Sequence, residues 1–89
     1  MTETEVVVAN RLGMHARAAA KFVHLASRFA ARVTVSKDGV RVDGKSILGL
    51  LTLAASKGSK LHITAQGDDE ADATQSLVDL VRSRFGESE

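Results

Sequence analysis

The chain has 89 residues, of which 44% are hydrophobic and 26% charged, and its formal net charge is +1. A chain of this length forms one small domain and cannot cover both faces of the large parallel sheet of a P-loop NTPase. The near-zero charge gives no electrostatic signal for nucleic acid or membrane. The absence of cysteine excludes a disulfide scaffold and thiol chemistry. With no signal-peptide pattern and no long apolar segment, we expect a cytosolic protein.

The first half of the chain predicts a strand and then a helix. The β-branched run from Val6 to Val8, with Ala9 after it, predicts the first strand. Between Ala16 and Ala30, apolar residues recur at helical spacing, which predicts a helix that faces the core. These residues are Ala19, Val23, Ala26 and Ala30. A second set at the same spacing predicts a basic stripe on another face. It consists of Arg17, Lys21, His24 and Arg28.

The second half predicts a hairpin, two helices and a last strand. Asp38-Gly39 separates two alternating runs, 32–36 and 40–43, and predicts a β-hairpin because both residues tolerate positive φ. Ser46 precedes an apolar run and predicts the N-cap of a short helix. The alternating run 61–66 predicts the fourth strand. A last helix is predicted from the acidic start 68–70, with apolar positions Ala73, Leu77, Leu80, Val81 and Phe85 and basic residues Arg82 and Arg84 in its last turns.

The predicted order β-α-β-β-α-β-α indicates an α+β fold, an antiparallel sheet with helices on one face. Within it, the stretch from Gly39 to Ser46, GVRVDGKS, has the spacing of a phosphate-binding P-loop. A P-loop needs free backbone N–H groups around the phosphate. Here the first glycine falls in the predicted hairpin turn, and the following residues form a strand that bonds to its neighbour. We therefore reject nucleotide binding and retain Ser46 as a hydroxyl at a helix start.

His15 lies where the first predicted helix begins. Unpaired amides and the dipole at a helix N-terminus bind anions and disfavour the imidazolium form, so we expect a neutral nucleophile. Arg17 follows two residues later and has the guanidinium geometry that binds phosphate oxygens. Together these features predict a transient phosphohistidine. The alternative interpretation is that His15 only caps the helix.

The segment GMHARAAAKFV, which begins at Gly13, resembles the phosphorylation-site motif of the HPr family. These proteins are the histidine-containing phosphocarriers of the bacterial phosphoenolpyruvate-dependent phosphotransferase system. KSILGLL, residues 45–51, resembles the family's regulatory-serine segment, and the resemblance spans essentially the whole chain. It implies one domain, residues 1–89, folded as an open-faced β-sandwich: a four-stranded antiparallel sheet covered on one side by three helices. Ala18 stands where proline is commonest, and because alanine favours helices we expect the helix start to persist.

The resemblance also implies roles for individual residues. His15 would accept a phosphoryl group on Nδ1 from enzyme I and pass it to enzyme IIA domains, usually for sugar uptake. Arg17 would stabilise that group, and Ser46 would be the target of an HPr kinase/phosphorylase. Partner docking is assigned to Arg17, Lys21, His24, Ile47, Leu48 and Leu51. The chain would be a phosphotransfer intermediate rather than an enzyme, with no cofactor and no metal. We expect a monomer that neither binds nucleic acid nor inserts into a membrane.

Two other functions are compatible with part of the pattern. An HPr-like carrier in a nitrogen-related regulatory branch would use the same chemistry, and the sequence does not separate it from sugar transport. A βαββαβ RNA-binding module has a similar element order, but it stacks bases on strand aromatics. All three aromatic residues, Phe22, Phe29 and Phe85, fall on predicted helices, so we reject this module. His24 and His62 have no accompanying ligand cluster and are predicted to be surface residues.

Overall fold

The computed structural model describes residues 1–89. Four strands form, β1 Thr2–Val7, β2 Arg32–Lys37, β3 Val40–Asp43 and β4 Lys60–Gln66. Three α-helices form, α1 Ala16–Ala26, α2 Ile47–Thr52 and α3 Glu70–Arg82, followed by a short 3₁₀ turn at Arg84–Gly86. The order is the predicted β-α-β-β-α-β-α. None of the helices combines the length and apolarity needed to cross a bilayer.

The four strands form one antiparallel sheet with the spatial order β1-β4-β2-β3. Strand β4 shows why one face is covered: Leu61, Ile63 and Ala65 are buried, whereas the residues between them are only half-buried. Helix α3 packs on β1 and β4, and α1 packs on α2 and α3. The core therefore lies between the sheet and the helices, and the other sheet face stays open. The predicted α+β open-faced sandwich is confirmed.

The central hairpin forms as predicted. Asp38 and Gly39 have φ values of 51° and 83°, the left-handed geometry that a tight hairpin turn requires. Residues 40–43 pair with β2 in a register that places Lys37 opposite Val40 and Thr34 opposite Asp43. The P-loop-like spacing thus lies on a hairpin turn and a strand.

The first helix ends earlier than predicted, at Ala26 instead of Ala30. Asp69, at the start of α3, provides the reason: its carboxylate accepts hydrogen bonds from the backbone N–H groups of Ala30 and Ala31, both at 2.8 Å. This distant contact holds the two residues outside the helix, and Ala30 is exposed. The buried face of α1 therefore differs from the predicted stripe. It consists of Ala18, Ala19, Phe22 and Ala26, whereas Val23 is half-buried.

The last helix also ends earlier than predicted, at Arg82. Arg84 and Phe85 have φ values of 60° and 55° and turn the chain away from the helix axis. Phe85 is nevertheless only 1% exposed, because its ring packs into the core from this turn. Neither Phe85 nor Phe29 lies on an α-helix, contrary to the prediction, because Phe85 lies in the 3₁₀ turn and Phe29 follows the end of α1. Neither lies on a strand, so the base-stacking aromatics of an RNA-binding sheet are missing.

The first strand begins at Thr2 and ends at Val7, earlier than the apolar run 6–9 predicts. Its polar half forms a strand because β4 offers a pairing edge, with Thr2 opposite Ala65 and Thr4 opposite Ile63. Strand propensity depends on such context more than helix propensity does.

Candidate functional site

His15 is the N-cap residue of α1. Its backbone is extended, with φ −74° and ψ 176°, and its Nδ1 accepts a hydrogen bond from the backbone N–H of Arg17 at 3.2 Å. The turn before it depends on Gly13, which has φ 67°. A Cβ at Gly13 would lie 2.5 Å from the carbonyl oxygen of Ala55. Glycine is therefore needed for the imidazole to reach the helix start in this geometry.

The other ring nitrogen of His15 is held by the end of the chain. Nε2 is hydrogen-bonded to Oε2 of Glu87, and Oε1 of Glu87 accepts a hydrogen bond from Nδ2 of Asn10 at 3.0 Å. Asn10 is fully buried and donates its second amide hydrogen to the Gly13 carbonyl at 2.8 Å. One asparagine thus connects the turn before the helix to the carboxylate that contacts the imidazole.

The same contacts explain the ionisation of Glu87. Its hydrogen bond with His15, and then the one from Asn10, lower the pKa of the Glu87 carboxyl below its usual value. The carboxylate is therefore ionised at neutral pH and acts as an acceptor. Since Nδ1 of His15 also accepts a hydrogen bond, the neutral ring carries its proton on Nε2.

An open groove of about 730 Å³ runs past the ring. Its lining includes Arg11, Leu12, His15, Arg17, Glu87 and Glu89. The Arg17 guanidinium is exposed and makes no hydrogen bond or ion pair within the chain, so its five N–H groups are free for an anion. Arg11 is paired with Glu89 at 2.9 Å. The structure thus brings the predicted pair, His15 and Arg17, to one accessible groove.

The residues predicted to dock partners differ in accessibility. On α2, Leu48 is 76% exposed and Ile47 is 42% exposed, whereas Leu51 is half-buried. On α1, His24 is exposed, and the ammonium group of Lys21 donates to the Phe85 carbonyl at 2.6 Å. Arg28 lies beyond the end of the helix. The predicted basic stripe is therefore shorter, and one of its charges is already engaged by the chain.

Ser46 is the N-cap of α2, as predicted. Its backbone is extended and its Oγ accepts a hydrogen bond from the backbone N–H of Gly49 at 3.0 Å. Gly49 has a packing reason to lack a side chain, because a Cβ would lie 3.2 Å from the Cβ of Val42 on β3. The hydroxyl is half-buried and its contact is made within four residues of chain.

Sequence reasoning missed Asn10, Leu12 and Glu87. Leu12 carries a weak signal, because a leucine in a predicted turn is unusual, and it is 69% exposed in the groove. Glu87 carries no signal in the sequence, because polar residues near the end of a chain are usually solvated.

The other histidines are exposed or half-buried as predicted, although Nε2 of His62 lies 3.4 Å from a carboxylate oxygen of Glu3. No group of three or more acidic or histidine side chains is arranged to hold a metal ion.

Known proteins are similar to this chain in both sequence and fold. The family model described as "PTS HPr component phosphorylation site" matches residues 2–83. Phosphocarrier protein HPr from Neisseria meningitidis serogroup A is 46% identical over 89 residues, with both chains fully covered.

Two solved structures extend the comparison. HPr-C-His from Thermoanaerobacter tengcongensis superposes with a TM-score of 0.96 at 44% identity, covering all of both chains. An HPr dimer from the same organism has a TM-score of 0.78 at 45% identity, covering 98% of this chain and all of that one. With the predicted histidine at the predicted helix start, the full-length likeness shows that this chain belongs to the HPr family of phosphocarrier proteins.

Proposed function

We propose that this chain accepts a phosphoryl group on Nδ1 of His15 from phospho-enzyme I and passes it to enzyme IIA domains for sugar uptake. The observation that carries the proposal is the placement of His15: it caps α1 with Nδ1 directed at a backbone N–H group and lines an open groove. A partner can reach the ring from that groove. The chain acts as a carrier rather than as an enzyme, because each step needs the partner's active site.

The transfer moves one phosphoryl group from enzyme I to His15. The Nδ1 lone pair of His15 forms a bond to phosphorus, and the electron pair of the bond that breaks returns to the donor's leaving group on enzyme I. The backbone N–H group of Arg17, which donates to Nδ1 of His15 at 3.2 Å, then becomes available to a phosphoryl oxygen. The free guanidinium of Arg17 adds two parallel donors. Positioned donors of this kind stabilise the charge on a phosphoryl group during its transfer.

Docking places the partner over the groove and the exposed start of α2. Ile47 and Leu48 supply apolar area there, with Leu51 beneath them, while Arg17 and His24 supply polar contacts from α1. Apolar contacts surrounded by polar ones are typical of transient protein interfaces. Lys21 contributes less than the sequence suggested, since its ammonium group already binds a backbone carbonyl.

Ser46 is the regulatory site of this proposal. Phosphorylation by an HPr kinase/phosphorylase would add roughly 1.5–2 negative charges beside Ile47 and Leu48. The fold tolerates that charge because a helix N-terminus favours anions. The charge would instead repel an acidic partner surface, and we expect Ser46→Asp to accept phosphoryl groups from enzyme I at least about tenfold more slowly. Ser46→Ala, which adds no charge, should keep the wild-type rate.

Incubation with enzyme I and labelled phosphoenolpyruvate tests the transfer itself. Label that is stable in alkali, labile in acid and absent from His15→Ala supports the carrier function. An unlabelled wild-type protein contradicts it. Adding enzyme IIA domains of the sugar branch and of the nitrogen-related branch to the labelled carrier then separates the two pathways, because only the true acceptor should discharge it rapidly. The monomeric state and cytosolic location expected from the sequence remain predictions.

A further inference from the structure

The last residues of the chain are fixed at several points around the His15 ring. Phe85 is buried in the core, and its carbonyl accepts a hydrogen bond from Lys21. Two residues later, Glu87 reaches Nε2 of His15, and Glu89 pairs with Arg11 on the far side of the groove. The side chains of His15 and Glu87 are only 26% and 21% exposed. Contacts on both sides of Glu87 thus order the segment that carries it.

Asn10 fixes the orientation of the Glu87 carboxylate. Both amide hydrogens of Asn10 are donated toward the site, one to Glu87 and one to the Gly13 carbonyl. Its own carbonyl oxygen is buried without any hydrogen-bond partner. Rotating the amide by half a turn would leave the carboxylate and the Gly13 carbonyl facing an oxygen. An unpaired buried polar atom is costly, so its retention indicates that the two donated hydrogen bonds matter.

The two contacts of the His15 ring select one tautomer. A carboxylate can only accept, so Nε2 must carry the proton, and Nδ1 is left with a lone pair that accepts from the Arg17 amide. We propose that Glu87 is a positioning residue for His15: it holds the ring in the Nε2–H form and orientation that exposes the Nδ1 lone pair to an incoming phosphoryl group. This inference rests on the proposed phosphoryl transfer and deepens it.

Glu87 also faces the charge that develops during transfer. When Nδ1 bonds to phosphorus, its lone pair becomes the new bond and the ring gains positive charge while keeping its Nε2 proton. The Glu87 carboxylate is hydrogen-bonded to that N–H group and stabilises the cationic ring, as a carboxylate does for a reacting imidazole elsewhere. The donor's leaving group keeps the electron pair of the bond that breaks, so no other reactant is needed.

The tautomer is measurable without any partner protein. Nitrogen-15 NMR of the His15 ring, recorded at about pH 8 where an ordinary imidazole is neutral, separates the protonated from the unprotonated ring nitrogen. We expect the Nε2–H form in the wild type and a mixture of both tautomers in Glu87→Ala. Glu87→Gln is the second variant, because its amide keeps the side-chain volume and removes the charge. Glu89→Ala is the matched control, since it removes a carboxylate from the same segment that does not contact His15.

Transfer kinetics with phospho-enzyme I supply the second measurement. We expect Glu87→Ala and Glu87→Gln to lower the turnover rate roughly tenfold, the lower end of the effect of removing a carboxylate that orients a metal-binding histidine. The KM for the carrier should change little, because Glu87 acts on the reacting ring. Glu89→Ala should lower the rate less than either Glu87 variant, because it loosens the segment but leaves the Glu87 carboxylate in place.

The possible results separate the positioning role of Glu87 from the proposed carrier function. An unchanged ring spectrum in both Glu87 variants, or an unchanged turnover rate, overturns the positioning role. An equal loss in Glu89→Ala overturns it too, because the effect would then belong to the segment as a whole. If wild-type protein is not labelled by enzyme I, the carrier function fails, while the ring spectra still decide whether Glu87 sets the tautomer.

Discussion

The starts of α1 and α2 are both capped by a side chain, but the two caps differ in what supports them. In both, an extended residue precedes the helix and its side chain accepts a hydrogen bond from a backbone N–H group, at 3.2 Å for His15 and 3.0 Å for Ser46. The serine cap is complete within four residues of chain. The histidine cap uses one ring nitrogen locally, and its other nitrogen bonds to Glu87, 72 residues away in sequence.

The difference shows what the proposed phosphoryl acceptor requires beyond an ordinary helix cap. A serine hydroxyl can rotate to suit its acceptor or donor, so its local bond does not need support. An imidazole has two distinct nitrogens, and which one is a nucleophile depends on what the other one binds. The α1 start therefore needs a partner from elsewhere in the fold, and the α2 start does not.

The largest expected effect comes from making the same substitution at both caps. His15→Asn should abolish labelling by enzyme I completely, because asparagine has no nucleophilic ring nitrogen. Asparagine is among the best N-cap residues, so the unfolding free energy should stay within about 1 kcal/mol of wild type. Ser46→Asn should be labelled normally. Labelling assays and urea denaturation check both. Residual label on His15→Asn would place the acceptor elsewhere.

Replacing Phe85, which anchors the end of the chain in the core, should have the second-largest effect. Phe85→Ala removes a fully buried ring and should lower the unfolding free energy by about 3–5 kcal/mol. It should also loosen the Glu87 contact with His15 while leaving the Ser46 cap intact. Urea denaturation gives the stability, and amide NMR shifts at 15–17 and 46–49 separate the two helix starts. Phe29→Ala, which removes a half-buried ring, is the control and should cost less. Equal shift changes at both starts would contradict the comparison.

The turn before α1 should tolerate a side chain poorly. Gly13→Ala combines a φ of 67° with a Cβ only 2.5 Å from the Ala55 carbonyl oxygen. We expect a loss of about 1–3 kcal/mol of unfolding free energy together with slower phosphoryl acceptance. Gly39→Ala is the matched control: its φ is 83°, but nothing lies within 4 Å of the added Cβ. It should show only the backbone strain, about 1 kcal/mol, and normal acceptance. Equal costs in urea denaturation would mean that the close contact relaxes.

Removing the Ser46 cap of α2 without adding charge should have a smaller effect, on stability and not on phosphoryl acceptance. Ser46→Ala removes the hydrogen bond to Gly49 and should cost about 1 kcal/mol of unfolding free energy. Ser46→Asp restores a capping oxygen and should recover that loss. Urea denaturation at neutral pH measures both. A serine-to-alanine change with no cost would show that the helix start is held by packing alone.

The smallest expected effect comes from Glu70 at the start of α3, and it is a change of stability with pH that is confined to acid. The hydrogen bond from Thr2, followed by the contact with the Met1 ammonium group, lowers the pKa of Glu70 to about 2. A carboxyl with a lowered pKa stabilises the folded state above its ordinary unfolded pKa and loses that contribution as pH falls toward the folded value. Thermal unfolding should therefore occur at progressively lower temperature between about pH 5 and pH 2.

Glu70→Gln should flatten that dependence. Glu5→Gln should leave it unchanged, because Glu5 is an exposed residue of β1 whose side chain makes no ion pair or hydrogen bond. Asp69 and Glu87 contribute in the same direction. The pKa of Asp69 is lowered chiefly by the hydrogen bond from the Ala30 amide, and that of Glu87 by His15. A wild-type unfolding temperature that stays constant over this range would contradict the assignment.

Much of the fold follows from short-range patterns in the sequence. The alternating runs around Asp38-Gly39 predict both strands of the hairpin, and the Ser46 cap predicts the start of α2 to the residue. The placement of His15 and Arg17 was also predictable, because a histidine at a helix start with an arginine two residues on is a local pattern, whereas their proposed roles remain predictions. Each of these features involves residues within one turn or one strand, where spacing alone fixes the geometry.

The differences from prediction all involve contacts between distant residues. Asp69 binds the amides of Ala30 and Ala31 and ends the first helix early, although the apolar spacing continues. Phe85 has the helical spacing of α3, but it reaches the core from a left-handed turn. Leu50 and Leu51 are neighbours in an apolar run, and only packing decides that the first is fully buried and the second half-exposed.

The sequence by itself determined the element order, the hairpin and the two helix caps, and it singled out the histidine that we propose as the phosphoryl acceptor. These depend on local backbone preferences and on hydrophobic period, which any short window of sequence contains. Only the tertiary structure decided which nitrogen of His15 is protonated. That choice depends on Glu87, which lies 72 positions from His15 in sequence and is held beside the ring by the buried Phe85 and by the amide of Asn10.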